Sequence, residues 1–432
     1  MGPLSKVCDA ADWFDPAMLR LIREELEELP RFHRKQWEFA LILRALAELG
    51  LLSDDRVGLS MGGGRERLLY AVARRVGRLV VTDLYDPKTT WESARTGDPG
   101  RFVMEGKPFP VDDARLTALR MDMRSLDFPD ECFDFCYSAC AIEHIGVRED
   151  FLRHLNEAYR VLKDRGVYVL TTEFHYGPEV IEHPQNFLFS ADYLRDLLMA
   201  TDFTPEPEFD ARIAPHKANF PVPPDLEALC LADDGQLSNF LLREFTHVQL
   251  LRGGHAHSSA SLLLRKDTRA RRGAQFRVIG LERSRDFLAA GIAEYRSRVE
   301  RSRLRLNPLA FLPGGVSSYC AGQKPSHAGG TVFHTDYAWL GSGRRSFTVA
   351  FEVAEALEDS VLELRIHAQR GLGPPEVRCV ETRSIAIKGP GRIHAELRVD
   401  VEERDSYALL GRLHGDSCRF EHIRVESLPS PA

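Results

Sequence analysis

The sequence predicts a doubly wound α/β sheet followed by an all-β sandwich, and three observations carry that prediction. Residues 56–86 run strand, glycine-rich turn, helix, strand and carboxylate. Residues 120–170 continue with apolar strand-like runs separated by a helical stretch. From about Pro313 the pattern changes to short alternating strands divided by Gly, Pro and charged turns.

Val57-Gly58-Leu59 reads as the first buried strand. Gly62-Gly63-Gly64 follows as a turn where the backbone bends sharply and a ligand approaches without Cβ atoms in the way. Leu68, Leu69, Val72 and Val76 give the segment from Glu66 one apolar helical face. Leu79 to Thr82 is a β-branched run ending in Asp83. Asp83 lies nineteen residues past Gly64, where nucleotide-binding sheets place the acid that accepts hydrogen bonds from ribose hydroxyls. Arg120 to Leu126 reads as the end of a third strand, Phe128 to Ser138 as a turn feeding a fourth, and Tyr159 to Leu170 as a helix end, a turn and a fifth.

Four features in order resemble the class I S-adenosylmethionine-dependent methyltransferases: the glycine turn, Asp83, the Asp122-Met123 pair, and FPDECFDFCYSACAIEHI followed by YRVLKDRG. The likeness spans residues 30–265. It implies a Rossmann-like sheet and S-adenosylmethionine as cofactor, held by Ser60, Gly62, Gly64, Asp83, Leu84, Asp122, Met123 and Ser138. The chain departs from the family at two positions, where Gly58 replaces the usual acid and Ser60 a usual glycine. That acid normally helps hold the amino-acid end of the cofactor, so this contact is left open, with Arg65 and Glu66 adjacent to alter it.

Open α/β sheets bind ligands past the carboxyl ends of their strands. Ser138 to His144 follows strand four and Thr171 to Tyr176 follows strand five. Methyl transfer to a hydroxyl needs alignment and a base near neutral pH, which makes His144 the first candidate and His175 the second. Each also has a structural reading, as a residue bonded to backbone. Glu143 and Glu173 either orient the base, bind a sugar hydroxyl or face solvent. Glu143, His144, Glu173, His175, Glu182 and His183 offer metal ligands, but no spacing singles out a site and none is assigned. Cys132, Cys136 and Cys140 fall on a strand-like run, where residues four apart lie about 13 Å from each other, too far for cluster ligands.

Residues 13–52 read as helices. Leu19, Ile22, Leu26 and Leu29 mark one that Pro30 ends, and Phe32 to Gly50 is a second. On the latter, Trp37 and Glu38 are either packing and a solvated face or part of a cover over the cofactor. The long connection over residues 85–116 is either a surface excursion or a lid using Tyr85, Lys88 and Trp91. Ser190 to Ala200 is a serine-capped helix, and Glu244 to Leu264 the last hairpin of the sheet. The strongly basic stretch over residues 265–305, with Phe287, Leu288, Ile292, Tyr295 and Val299, is an amphipathic helix that either packs on the first domain or touches anionic lipid or polymer.

In the last third, Arg345 to Val353, Val361 to Ala368, His394 to Val401 and Ser406 to Leu413 are strands of the sandwich. The run Gly329 to Leu340 loosely resembles carbohydrate-associated jelly rolls, with Tyr337 and Trp339 either stacking on sugar or filling the core.

The expected organisation is a helical cap (1–52), an S-adenosylmethionine-binding domain (53–266), a basic helical linker (267–312) and a β-sandwich (313–432). A net charge of -7 argues against general nucleic-acid binding. No apolar run reaches the roughly 20 residues that span a bilayer. Eight cysteines without a disulfide framework suit a reducing, cytoplasmic setting. The expected reaction is O-methylation of a sugar hydroxyl in a glycan or its precursor. The alternatives are a non-catalytic glycan-binding protein with a degenerate cofactor site, and a small-molecule O- or N-methyltransferase.

Overall fold

The computed structural model describes residues 2–89, 91–182, 186–220, 247–252, 255–267, 275–301, 304–306, 308–311, 317–319, 326–327, 330–335, 338–356, 360–370, 376–402, 405–414 and 418–430. The chain divides into two compact units. The first comprises residues 1–219, 247–249 and 256–287, and the second the remainder.

The first unit is built on one mixed sheet. Its principal elements are β1 (Lys6–Val7), α1 (Arg34–Glu48), β2 (Val57–Met61), α2 (Arg67–Ala73), β3 (Arg78–Asp83), α3 (Pro99–Glu105), β4 (Leu116–Arg120), β5 (Phe133–Ala139), α4 (Arg148–Val161), β6 (Leu162–His175), α5 (Ala191–Met199), β7 (Glu208–Asp210), β8 (His255–Arg265) and β9 (Arg277–Ile279). The strands lie in the order β9-β7-β1-β8-β6-β5-β2-β3-β4. The run from β6 to β4 is parallel, and β8 joins β6 antiparallel. Every residue of β5 is buried, as expected of a parallel strand covered on both faces.

Three expectations need correction. The third strand ends at Arg120: Met121 N–H gives the last ladder bond to the Asp83 carbonyl at 2.9 Å, and the chain then turns, with Ser125 N–H on the Asp122 carbonyl at 3.0 Å. Glu38 does not face solvent: α1 is buried continuously from Gln36 to Leu46, polar side chains included. Trp37 donates from Nε1 to Asp12 Oδ2 at 2.6 Å. Tyr85 is buried, its hydroxyl on the Gly64 carbonyl at 2.6 Å, so it braces the glycine turn from beneath.

Ser190 caps α5 as expected, accepting from Tyr193 N–H. The short β1 carries no periodicity to announce it, yet Lys6 and Val7 pair antiparallel with Ser261 and Ala260 of β8. The basic stretch contains a helix from Leu281 to Arg301.

The second unit holds two antiparallel sheets. One orders Leu304–Leu306, Cys418–Pro429, Gly343–Ala356 and Gly391–Val401. The other orders Ser317–Tyr319, Pro308–Phe311, Gly330–Thr335, Asp405–His414, Ser360–Arg370 and Glu376–Ile387. Phe347, Val349, Phe351 and Val353 from the first meet Leu362, Leu364, Ile366 and Leu409 from the second in one apolar cluster, which makes the unit a sandwich. Tyr337 and the side chain of Trp339 lie outside the described residues.

Candidate active site

The carboxyl ends of β4, β3, β2 and β5 open onto a cavity of about 600 Å³, within the range of small-molecule sites. Asp122 and Met123 follow β4, Asp83 and Leu84 stand at the end of β3, Gly62 follows β2, and Ala139 to His144 leave β5. The glycine turn is shaped by close approach. A Cβ on Gly62, where φ is +64°, would meet Ala141 Cβ at 2.6 Å, and one on Gly64, where φ is +48°, would meet the Ser93 carbonyl at 2.8 Å.

Asp83 is held rigidly. One carboxylate oxygen accepts Gly64 N–H at 2.9 Å and the other accepts Leu84 N–H at 2.7 Å. Burial pushes its pKa up, against backbone N–H groups that stabilise the charged form. Leu84 is 57% exposed and gives the cavity an apolar face. Arg124 engages Asp122 through two nitrogens, at 3.0 and 2.6 Å. Met123 is fixed from behind: His154 Nδ1–H donates to its carbonyl at 3.0 Å. A carbonyl only accepts, so the other ring nitrogen, Nε2, accepts from Tyr168 at 2.7 Å, and Ser138 donates to Tyr168 at 2.6 Å.

Residues 59–170 match the family model described as a methyltransferase domain. This segment is an S-adenosylmethionine-dependent methyltransferase domain. No curated protein matches the chain. Among solved structures, the methyltransferase domain is similar to the YcgJ protein of Bacillus subtilis at 16% identity over 54% of this chain and 98% of that one, with a TM-score of 0.33. It is also similar to the 1,6-didemethyltoxoflavin-N1-methyltransferase of Burkholderia thailandensis, at 16% identity over 55% and 79% with a TM-score of 0.34. A third is the [4+2]-cyclase SpnF, at 16% identity over 61% and 98% with a TM-score of 0.36. Likeness at this level carries no inference about the reaction.

The cavity fits the cofactor of a methyltransferase domain. A tight turn at Gly62 to Gly64 that admits no Cβ, the braced Asp83 and the exposed Leu84 are features that suit a nucleoside. Gly62, Asp83, Leu84, Asp122 and Met123 line it. Ser60, Gly64 and Ser138 do not; Ser60 and Ser138 are fully buried, and Ser138 closes the relay through Tyr168.

Of the candidate bases, His144 lines the cavity with its ring 4.8 Å from that of Trp91. The structure places Glu143 and His175 elsewhere. Glu143 is buried and turned to β6, accepting from Thr172 Oγ1 at 3.0 Å. His175 is occupied by its own loop: Nδ1 accepts Gly177 N–H at 3.1 Å and Nε2 donates to the Glu179 carbonyl. Glu173 binds Arg34 at 2.5 Å. Among the described residues no three ligating side chains form a metal-binding group, and His183 lies outside them.

Lys35 is a cavity residue that the sequence reading missed. Its ammonium reaches Glu66 at 3.0 Å, Glu38 at 3.2 Å and the Ala139 carbonyl at 2.9 Å. Burial opposes its charge, but Glu38 and Glu66 outweigh that and hold it protonated. Only the tertiary fold brings α1 to the end of β5, so spacing gave no signal.

His154 also makes the domain acid-sensitive. Burial lowers its pKa from 6.5 to about 4. The fold therefore excludes a proton that the unfolded chain binds, and stability is lost as pH falls from about 6.5 towards 4, by up to about 3 kcal/mol for this group. His33, lowered to about 4 mainly by burial, adds in the same direction. Urea midpoints across this window should fall with pH, less steeply for His154→Phe. An equal slope in the variant would assign the loss to other groups.

Proposed function

We propose that the chain methylates a hydroxyl oxygen of a sugar, in a glycan or its precursor, with His144 as the base. The observation that carries this reading is the placement of His144 on the cavity wall, beside an exposed Trp91 ring suited to lie against a sugar face. S-adenosylmethionine supplies a sulfonium methyl open to in-line attack. The chain's own task is to orient the hydroxyl and take its proton, which His144 does. The β-sandwich supports a glycan acceptor because an added binding module keeps a polymeric substrate near the reaction. The described cysteines are all free thiols, which supports a reducing, cytoplasmic setting.

The test is turnover with a panel of hydroxylated sugars and small phenols or amines. His144→Ala should lower kcat by about 100- to 10,000-fold while leaving S-adenosylhomocysteine affinity unchanged. Wild-type turnover in that variant would remove His144 from the role, and turnover confined to phenols or amines would replace the sugar acceptor.

A further inference from the structure

The order of the strands fixes the direction in which the cofactor lies. Asp83, the ribose acceptor, ends β3, and the surfaces for the base, Leu84 and Met123, lie at β3 and beyond β4. The amino-acid end must therefore extend the other way, over the ends of β2 and β5. With strands about 4.8 Å apart, these four ends span about 14 Å.

A zwitterionic α-amino acid needs one cation and one anion at that end. Among the described residues lining the cavity there, Lys35 and Glu66 are such a pair, 3.0 Å apart. Their side chains keep 35% and 19% exposure, whereas Glu38 behind them keeps 1%. Glu38 therefore sustains the Lys35 charge without competing for the ligand. The position where such domains usually carry an acid is closed, because a Cβ on Gly58 would meet Phe135 Cζ at 2.2 Å.

We propose that Glu66 binds the α-ammonium and Lys35 the α-carboxylate of S-adenosylmethionine, so that the pair takes over the task Gly58 cannot perform. The inference rests on the cofactor assignment and concerns these residues alone.

The electrostatics of Glu66 agree with the geometry. It faces Lys35 and Glu38 from α1, Asp83 from the end of β3 and Tyr137 from β5. Burial pushes its pKa up to about 7 against the pull of Lys35. Near neutral pH the free site thus holds a partial proton on Glu66, and an arriving ammonium favours the carboxylate. Binding then releases that proton, and affinity increases as pH rises through about 7.

The experiment is calorimetry on the full chain with two probes. S-adenosylhomocysteine has the amino-acid end, and 5′-methylthioadenosine has the same nucleoside and sulfur without it. Glu66→Gln and Lys35→Met should each weaken S-adenosylhomocysteine by about 10- to 100-fold and leave 5′-methylthioadenosine affinity unchanged. The wild-type heat should vary with buffer ionisation enthalpy, and Glu66→Gln should remove that variation. Unchanged S-adenosylhomocysteine affinity in both variants overturns the proposal, as does equal weakening of the two probes, which marks a structural role. Wild type binding 5′-methylthioadenosine but not S-adenosylhomocysteine overturns it alone; binding of neither overturns the cofactor assignment as well.

Discussion

Replacing Asp83 by Ala should abolish the thermal stabilisation that S-adenosylhomocysteine confers on the wild-type chain. A ligand at about 100 times its dissociation constant stabilises the fold by about 2.7 kcal/mol, a readable shift in Tm. Asp83 couples to the ligand in two ways. As the proposed ribose acceptor it would bind the ligand directly, and the same oxygens hold Gly64 N–H and Leu84 N–H, which set the glycine turn and the position of Leu84. Alanine removes the acceptor and leaves those N–H groups without it, so unliganded stability should also fall, by about 1–3 kcal/mol. Asp83→Asn separates the effects, since the amide oxygen keeps one acceptor for the backbone while the charge is lost. Full ligand-induced stabilisation of Asp83→Ala would move the cofactor away from this cavity.

The second large effect concerns Gly58. Restoring the acid usual in such domains by Gly58→Asp should destabilise the chain rather than improve cofactor binding. Gly58 pairs across the sheet with Phe135, whose ring fills the space where a side chain would stand. Adding even the alanine methyl overpacks this contact at a cost of about 1–3 kcal/mol, and aspartate adds the burial of a charge. Urea denaturation of Gly58→Ala should show the loss, and Phe135→Leu in the same chain should recover part of it, since residues in contact are not additive. Additive losses in the double variant would mean that the ring is not what excludes a side chain.

The contrast between Asp83 and Lys35 shows why part of the site was legible in sequence and part was not. The glycine turn, α2 and Asp83 are neighbours along the chain, so spacing alone brings them together. Lys35 reaches Ala139 from more than 100 residues away, and its helix hides its role further. Buried around most of its circumference, α1 lacks the two-sided pattern that would separate inward from outward residues, so sequence leaves the side of Glu38 open. His144 and His175 each stand just beyond a strand, and sequence alone only ranks the first ahead of the second. What divides them is the loop after β6, which folds back and consumes both nitrogens of His175. In the sandwich, alternation marked four strands, and their inward residues form the core. Glu376–Ile387, with its largely exposed residues, was not anticipated.

The pairing of Lys6 and Val7 with Ala260 and Ser261 has a consequence for biosynthesis. A ribosome makes β8 more than 240 residues after β1. At synthesis rates of about 5–20 residues per second, β1 waits for more than about ten seconds without its partner strand. This strand pair therefore forms late in the domain's assembly.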